Sequence, residues 1–217
     1  MYAVAAKVQE LDYFTRLNKE FQSDLHWWRT FLDLWNGVSF LQPKDTPDTV
    51  VQTDASGSWG CAAFCGGHWL QWEWPVEWRK ETIMAKELVP IVLSCVVWGK
   101  EMARRVVLFQ CDNTGVVAAV KKGSAREPLV MHLLRSLWFF VAYYDISIKI
   151  EHIAGVHNGI ADQLSRNNMQ QFFFSNPQAN LLPTPLPPEL LQIVSVKKLD
   201  WTSPRFNQLF NIIISKV

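Results

Sequence analysis

Residues 105–111 read Arg-Val-Val-Leu-Phe-Gln-Cys, a nearly continuous apolar run of β-forming side chains. Successive side chains of a strand point to opposite faces, so a run that is apolar at consecutive positions predicts a strand buried on both sides. Such a strand needs helices packed on its sheet, and the chain accordingly reads as α/β. Asp112-Asn113 follows at once and predicts the cap of the next helix.

The neighbouring segments supply the rest of a mixed sheet. Val50 to Asp54 predicts a strand that ends in an acid. Trp59, Cys61, Ala63 and Cys65 alternate on one face of a second strand, Gly66-Gly67 provides a tight turn, and His68 to Trp74 is the return strand. These three make an antiparallel meander. Its tryptophans, Trp69, Trp72 and Trp74, suit core or meander surface better than a base-stacking platform.

Met84, Leu88, Ile91, Val92, Cys95 and Val96 recur at the three-to-four spacing of an amphipathic helix over 82–102. Pro90 falls inside it, and an interior proline removes one backbone bond at ~3 kcal/mol or more, so an interruption with a kink is expected there. Helical sequence over 128–144, the alternating Ile146, Ile148 and Ile150, a loop through Gly155 to Gly159 and a short helix from near Asn158 complete the order. That order is β-β-β-α-β-α-(α)-β-α.

Three parts follow from these boundaries. Residues 1–47 form a helical connection segment, with Leu25, Trp27, Trp28, Phe31, Leu32 and Trp35 as an aromatic stripe before the Asn36-Gly37 stop; the stripe suits a helix docked on its neighbour. Residues 48–166 form one complete domain. Residues 167–217 form a Pro-containing spacer and tail, because Leu182 to Pro188 (Leu-Pro-Thr-Pro-Leu-Pro-Pro) favours extended polyproline conformation.

Composition bounds the remaining classes. With 49% hydrophobic and 19% charged residues the chain is globular, and it lacks the ~18-residue apolar stretch of a membrane span. No secretory signal is readable, and the four cysteines, Cys61, Cys65, Cys95 and Cys111, show no paired zinc spacing. Reduced, buried thiols in an intracellular protein are expected, cytoplasmic or nuclear, with a Cys61–Cys65 metal pair as a minor option. The net charge of +1 decides nothing about nucleic acid; Arg104-Arg105 and Lys121-Lys122 with Arg126 are modest basic patches, more often plain solvated surface.

Four carboxylates run through the predicted elements, Asp54, Glu87, Asp112 and Asp162. Asp54 and Asp112 fall at the carboxyl ends of adjacent strands, which open onto the crevice where such sheets place ligands. Glu87 lies beside the apolar stripe of its helix, three residues after Met84 and four before Ile91, and Asp162 arrives on the last helix. Acids gathered in one crevice repel one another unless cations neutralise them, and oxygen donors select Mg²⁺ or Mn²⁺. Two such ions would support in-line hydrolysis of a phosphodiester. Each acid also has a plain structural role open to it: Asp54 in a turn, Glu87 paired with Arg79 or Lys80, Asp112 as a helix cap, Asp162 against a helix dipole. Their joint order and placement favour the site.

The words around these acids, Thr-Asp-Ala-Ser-Gly-Ser-Trp-Gly, Ala-Lys-Glu-Leu, Gln-Cys-Asp-Asn-Thr and Glu-His-Ile-Ala-Gly-Val-His-Asn-Gly-Ile-Ala-Asp-Gln-Leu-Ser-Arg, resemble the ribonuclease H domain of retroelement reverse transcriptases. The likeness is greatest to gypsy-like and DIRS/Ngaro-type elements and covers about residues 48–166. It implies a ribonuclease H-like fold, a mixed five-stranded sheet (antiparallel meander plus parallel strands) flanked by helices. It further implies cleavage of the RNA strand of RNA/DNA hybrids, with Asp54, Glu87, Asp112 and Asp162 as catalytic metal ligands. Two Mg²⁺ ions are implied, with Mn²⁺ able to substitute. Ser56, Asn113 and His157 are candidate substrate contacts; His152 competes with His157 for the role of a mobile-loop histidine, and neither sits in an unambiguous Gly-His-x-Gly word.

The flanking sequences resemble the connection and spacer segments of the same polyproteins, so a retrotransposon fragment starting after the polymerase is expected. Tyr143-Tyr144-Asp145-Ile146 lacks the second aspartate of a polymerase motif, so that activity is expected to be absent. The expected partners are the hybrid and the polymerase domain of the parent polyprotein, with no membrane. The alternative is a catalytically silent structural or tethering module of a decayed or domesticated element. A DNA-directed nuclease of D-D-E order fits less well, because here the glutamate comes second.

Overall fold

The computed structural model describes residues 17–32, 46–186 and 188–194. In chain order its elements are α1 (Lys19–Leu32), β1 (Thr49–Ala55), β2 (Gly60–Cys65), β3 (His68–Glu73), α2 (Ile83–Val97), α3 (Gly99–Met102), β4 (Val106–Cys111), α4 (Thr114–Lys122), α5 (Pro128–Tyr143), β5 (Ser147–His152), α6 (Gly159–Ser165), α7 (Met169–Ser175) and α8 (Pro188–Leu191). Single 3-10 turns occupy Val76–Lys80 and Gly155–His157.

The strands form one mixed sheet in the order β3-β2-β1-β4-β5, an antiparallel meander joined to parallel β4 and β5, which is the fold class expected from the sequence. Gly66 and Gly67, at φ 55° and 91°, supply the left-handed pair that a two-residue hairpin turn requires between β2 and β3. Asn113 caps α4 by accepting from the Val116 N–H at 3.2 Å, and Gly123, at φ 66°, closes that helix.

The period-two alternation sorts side chains into two layers. Val51, Ala55, Cys61, Ala63, Val107, Phe109 and Cys111 join the larger core with the apolar faces of α2, α4 and α5. Ala62 points to the other face, where it meets Trp69, Leu164 of α6, Phe172 of α7 and Ala179. The expected interruption at Pro90 does not occur. The helix continues across it and breaks at Trp98, because every position from Ala85 to Val96 is buried and tertiary packing outweighs one lost bond.

The packed body also extends past Arg166, where the sequence had suggested a spacer. Phe172 is fully buried, with its ring 5.5 Å from Trp69 and 6.1 Å from Phe64 in edge-on contacts. Leu190, Ile193 and Val194 enter the larger core. The chain ahead of α8 lies along the sheet: the Thr184 N–H donates to Trp69 O and the Asn180 N–H to Gly67 O, while Pro188, the last residue of the expected polyproline stretch, opens α8. Phe172→Ala should cost about 3–5 kcal/mol in chemical unfolding. A loss below about 0.5 kcal/mol would mean that α7 does not belong to the cooperative unit.

At the other end, α1 is tied down by an Asp24–Arg135 ion pair of 2.8 Å to α5, while Leu25, Trp28 and Leu32 remain exposed. The helix is described as far as Leu32, and Trp35 and the Asn36-Gly37 stop lie outside the described residues, as do Trp201 and Ile212 to Ile214. Among the described residues no helix is long and apolar enough to cross a membrane.

Candidate active site

Parallel pairing brings the carboxyl ends of β1, β4 and β5 to one edge of the molecule, and the four acids gather there. Asp54 is the penultimate residue of β1 and is almost wholly buried. Glu87 reaches the same end from α2, on the larger-core side of the sheet. Its carboxylate accepts from the Ala55 backbone N–H, and the Cys111 Sγ–H points at its Oε2 from 4.0 Å. Asp112 follows the last residue of β4. The ligand atoms of Glu87, Cys111 and Asp112 all lie within 4.8 Å of one another, the one cluster of metal-capable side chains among the described residues. Cys61 and Cys65 belong to no such group, and Cys61 lies inside the larger core.

Asp162 comes from the opposite face on α6, where Arg166 one turn on donates Nε–H to its Oδ1 at 2.6 Å. That guanidinium is the cation the chain itself supplies to the cluster. The acids sense one another strongly. Burial, helped by the charges of Asp112 and Asp162, pushes Asp54 up to about 6 despite a hydrogen bond from Ser165. Burial and the charges of Asp54 and Asp112 push Glu87 up to about 9, and burial beside Glu87 pushes the Cys111 thiol up to about 12. A crevice that resists ionisation of its own carboxylates is one that an added cation would stabilise. Its hard oxygen donors fit a divalent ion of the Mg²⁺ class, with Cys111 as a softer neighbour.

The lesser candidates separate. Ser56 is buried, and its hydroxyl donates to Gly60 O while accepting from the Trp59 and Gly60 N–H groups. It braces the β1–β2 turn. Asn113 is half-buried, with its Oδ1 engaged as a helix cap. His157 is exposed on the Gly155–His157 turn, which passes close to Asp112: a Cβ added to Gly155 would lie 3.4 Å from Asp112 Oδ2. His152 is exposed as well, its Nε2 3.1 Å from the Asp112 backbone oxygen. The turn histidine is therefore the free one of the two.

Three residues not anticipated as part of the site prove important to it. Lys86, beside Glu87 but rotated about the helix, is buried against Trp74 and donates to Gly57 O at 2.8 Å, which locks the turn after Asp54 to α2. Trp74 stacks on Trp78 behind it, so the meander tryptophans do form core. Asn158 and Ser165 are fully buried against Asp54. Their spacing around Asp162, four before and three after, puts all three on one helical face, a signal present in the sequence.

No protein-family model matches the chain, and no curated protein matches it. Among solved structures it is similar to RNase H1 from the halophilic archaeon Halobacterium salinarum NRC-1, at 12% identity and a TM-score of 0.43, covering 57% of this chain and 98% of that one. It is also similar to the N-terminal RNase H domain of a Mycobacterium tuberculosis protein solved as a fusion with maltose-binding protein. There the identity is 15% and the TM-score 0.42, covering 60% of this chain and 99% of the other.

Proposed function

We propose that the chain is a metal-dependent endonuclease that hydrolyses the RNA strand of RNA/DNA hybrids, and that it is a fragment of a retrotransposon reverse transcriptase. The observation that carries this reading is the meeting of Asp54, Glu87, Asp112 and Asp162 at one end of the sheet. Burial and mutual repulsion hold the first two above the usual carboxylate range there. The motif resemblance supports the choice of substrate and the origin.

Asp54, Glu87, Asp112 and Asp162 would hold Mg²⁺ or Mn²⁺. When bound, two such ions supply an activated water and charge stabilisation for the leaving 3′-oxygen. The chain's own residues do the rest. Burial of Asp54 and Glu87 keeps bulk water from their inner faces, while half-exposed Asp112 and Asp162 face the mouth where a phosphodiester enters. Arg166, already close to Asp162, offers a guanidinium to a substrate phosphate. His157, exposed on the turn beside Asp112, is the residue we assign to helping product leave. Recognition through ribose hydroxyls and phosphates would make specificity structural and not sequence-based.

The test is hydrolysis of a labelled RNA/DNA hybrid by purified protein with Mg²⁺, Mn²⁺ or EDTA, beside duplex DNA and duplex RNA. Metal-dependent cuts confined to the RNA strand of the hybrid are the expected result. Folded protein that cuts nothing would replace this reading with the silent module, and equal cutting of duplex DNA would replace it with a DNA-directed nuclease.

A further inference from the structure

Asp54 is gripped by side chains that the acid motifs do not account for. The Ser165 hydroxyl donates to Asp54 Oδ2, with Asp162 O a second acceptor at 3.1 Å. The Asn158 amide donates to Thr53 O at 2.9 Å and approaches Asp54 Oδ1 at 3.4 Å. Both of those partners are acceptors, which fixes the amide with its nitrogen towards β1. Each oxygen of Asp54 thus meets one donor, and both donors are fully buried.

These donors flank Asp162 on a single helical face, more than a hundred residues along the chain from Asp54. A carboxylate oxygen accepts along two lone-pair directions. One donor on each oxygen therefore fixes the plane of the Asp54 carboxylate and leaves the remaining lone pairs for a ligand. The same contacts fix where α6, and with it Asp162, sits against β1.

We propose that Asn158 and Ser165 are positioning residues, a clamp that sets the Asp54 carboxylate relative to Asp162 so that the pair can hold a divalent cation. This inference rests on the reading of the four acids as metal ligands. The clamp acts before any ion arrives. A ligand oxygen already held in place loses less freedom on binding, and partners behind metal ligands are worth about 10- to 100-fold in affinity.

The experiment is Mn²⁺ binding to the purified full chain, read from the electron paramagnetic resonance signal of free Mn²⁺, with no substrate present. Ser165→Ala should weaken binding ~10-fold, and Ser165→Thr, which keeps the hydroxyl, should restore most of it. Ser136→Ala removes another fully buried hydroxyl, bonded to His132 O within α5 away from the acids, and should lose stability without losing affinity. Should Ser165→Ala fail to fold, Ser165→Cys, with its weaker donor, should bind at an intermediate level. Wild-type affinity in Ser165→Ala, or in Ser165→Cys where that stands in, overturns the clamp alone. Equal weakening by Ser136→Ala also overturns it, because the effect would then be one of general stability. Absence of Mn²⁺ binding to the unaltered protein overturns both the clamp and the metal-site reading.

Discussion

Asp112→Asn should reduce hybrid hydrolysis by on the order of 10³-fold, the rate equivalent of the several kcal/mol that a correctly held metal contributes to such a transition state. The substitution removes one charged oxygen from the group that Glu87, Cys111 and Asp112 form within 4.8 Å. It leaves the β4 ladder untouched, since Asp112 lies just beyond the last paired residue, Cys111. The variant should therefore keep its near-ultraviolet circular dichroism and, relieved of one charge that repels Asp54 and Glu87, melt no lower than the parent without metal, while losing cleavage under saturating Mg²⁺. Activity within tenfold of the parent would remove Asp112 from the site and require a different arrangement of acids.

Glu87→Gln should abolish cleavage in the same assay and stabilise the metal-free protein. In the folded chain, burial and the neighbouring acids push Glu87 from an ordinary value of 4.5 up to about 9. A carboxyl whose folded value is raised contributes stability that is complete below its unfolded value and is lost as pH rises through the folded one. The metal-free parent should accordingly become less stable between about pH 5 and pH 9, relative to a variant that cannot ionise at this position. At pH 8 the difference should reach about 2 kcal/mol or more, some 5 °C in melting temperature. Added Mn²⁺ should recover the parent and do little for the variant. Melting curves from pH 5 to 9, with EDTA and with Mn²⁺, check all three outcomes. Parallel pH profiles for the two proteins would show that Glu87 ionises freely and is not held in the crevice.

The elements whose signals are local were legible in the sequence. The apolar run before Asp112, the alternation around Gly66-Gly67 and the spacing of Leu88, Ile91, Val92 and Cys95 each encode one element by its own periodicity. Asp54 and Asp112 could be placed because they fall at the ends of strands, and Glu87 because it lies beside the apolar stripe of its helix. What was not legible depends on faces that exist only after folding. Phe172 sits in a short Asn/Gln/Phe-rich segment, and its burial depends on Ala62, Trp69 and Leu164 presenting a surface to it. Ser56 stands beside Asp54 in the motif, yet the tightness of the β1–β2 turn claims its hydroxyl. Pro90 misled for the same reason: propensity describes an isolated helix, and this one is enclosed by the core.

The strip of chain lying along β3 has a consequence for solubility. β3 is the outermost strand of the meander, and an uncovered outer strand is a template on which a second molecule can pair. Asn180 and Thr184 take up the outward carbonyls of Gly67 and Trp69, and the Trp69 indole N–H is satisfied by Asn180 O at 2.7 Å. A version cut back to the last acid motif would keep all four carboxylates and lose this guard. It would leave an aromatic-rich border open to sheet-to-sheet association, so the chain beyond Arg166 covers the outer strand as well as packing against the body.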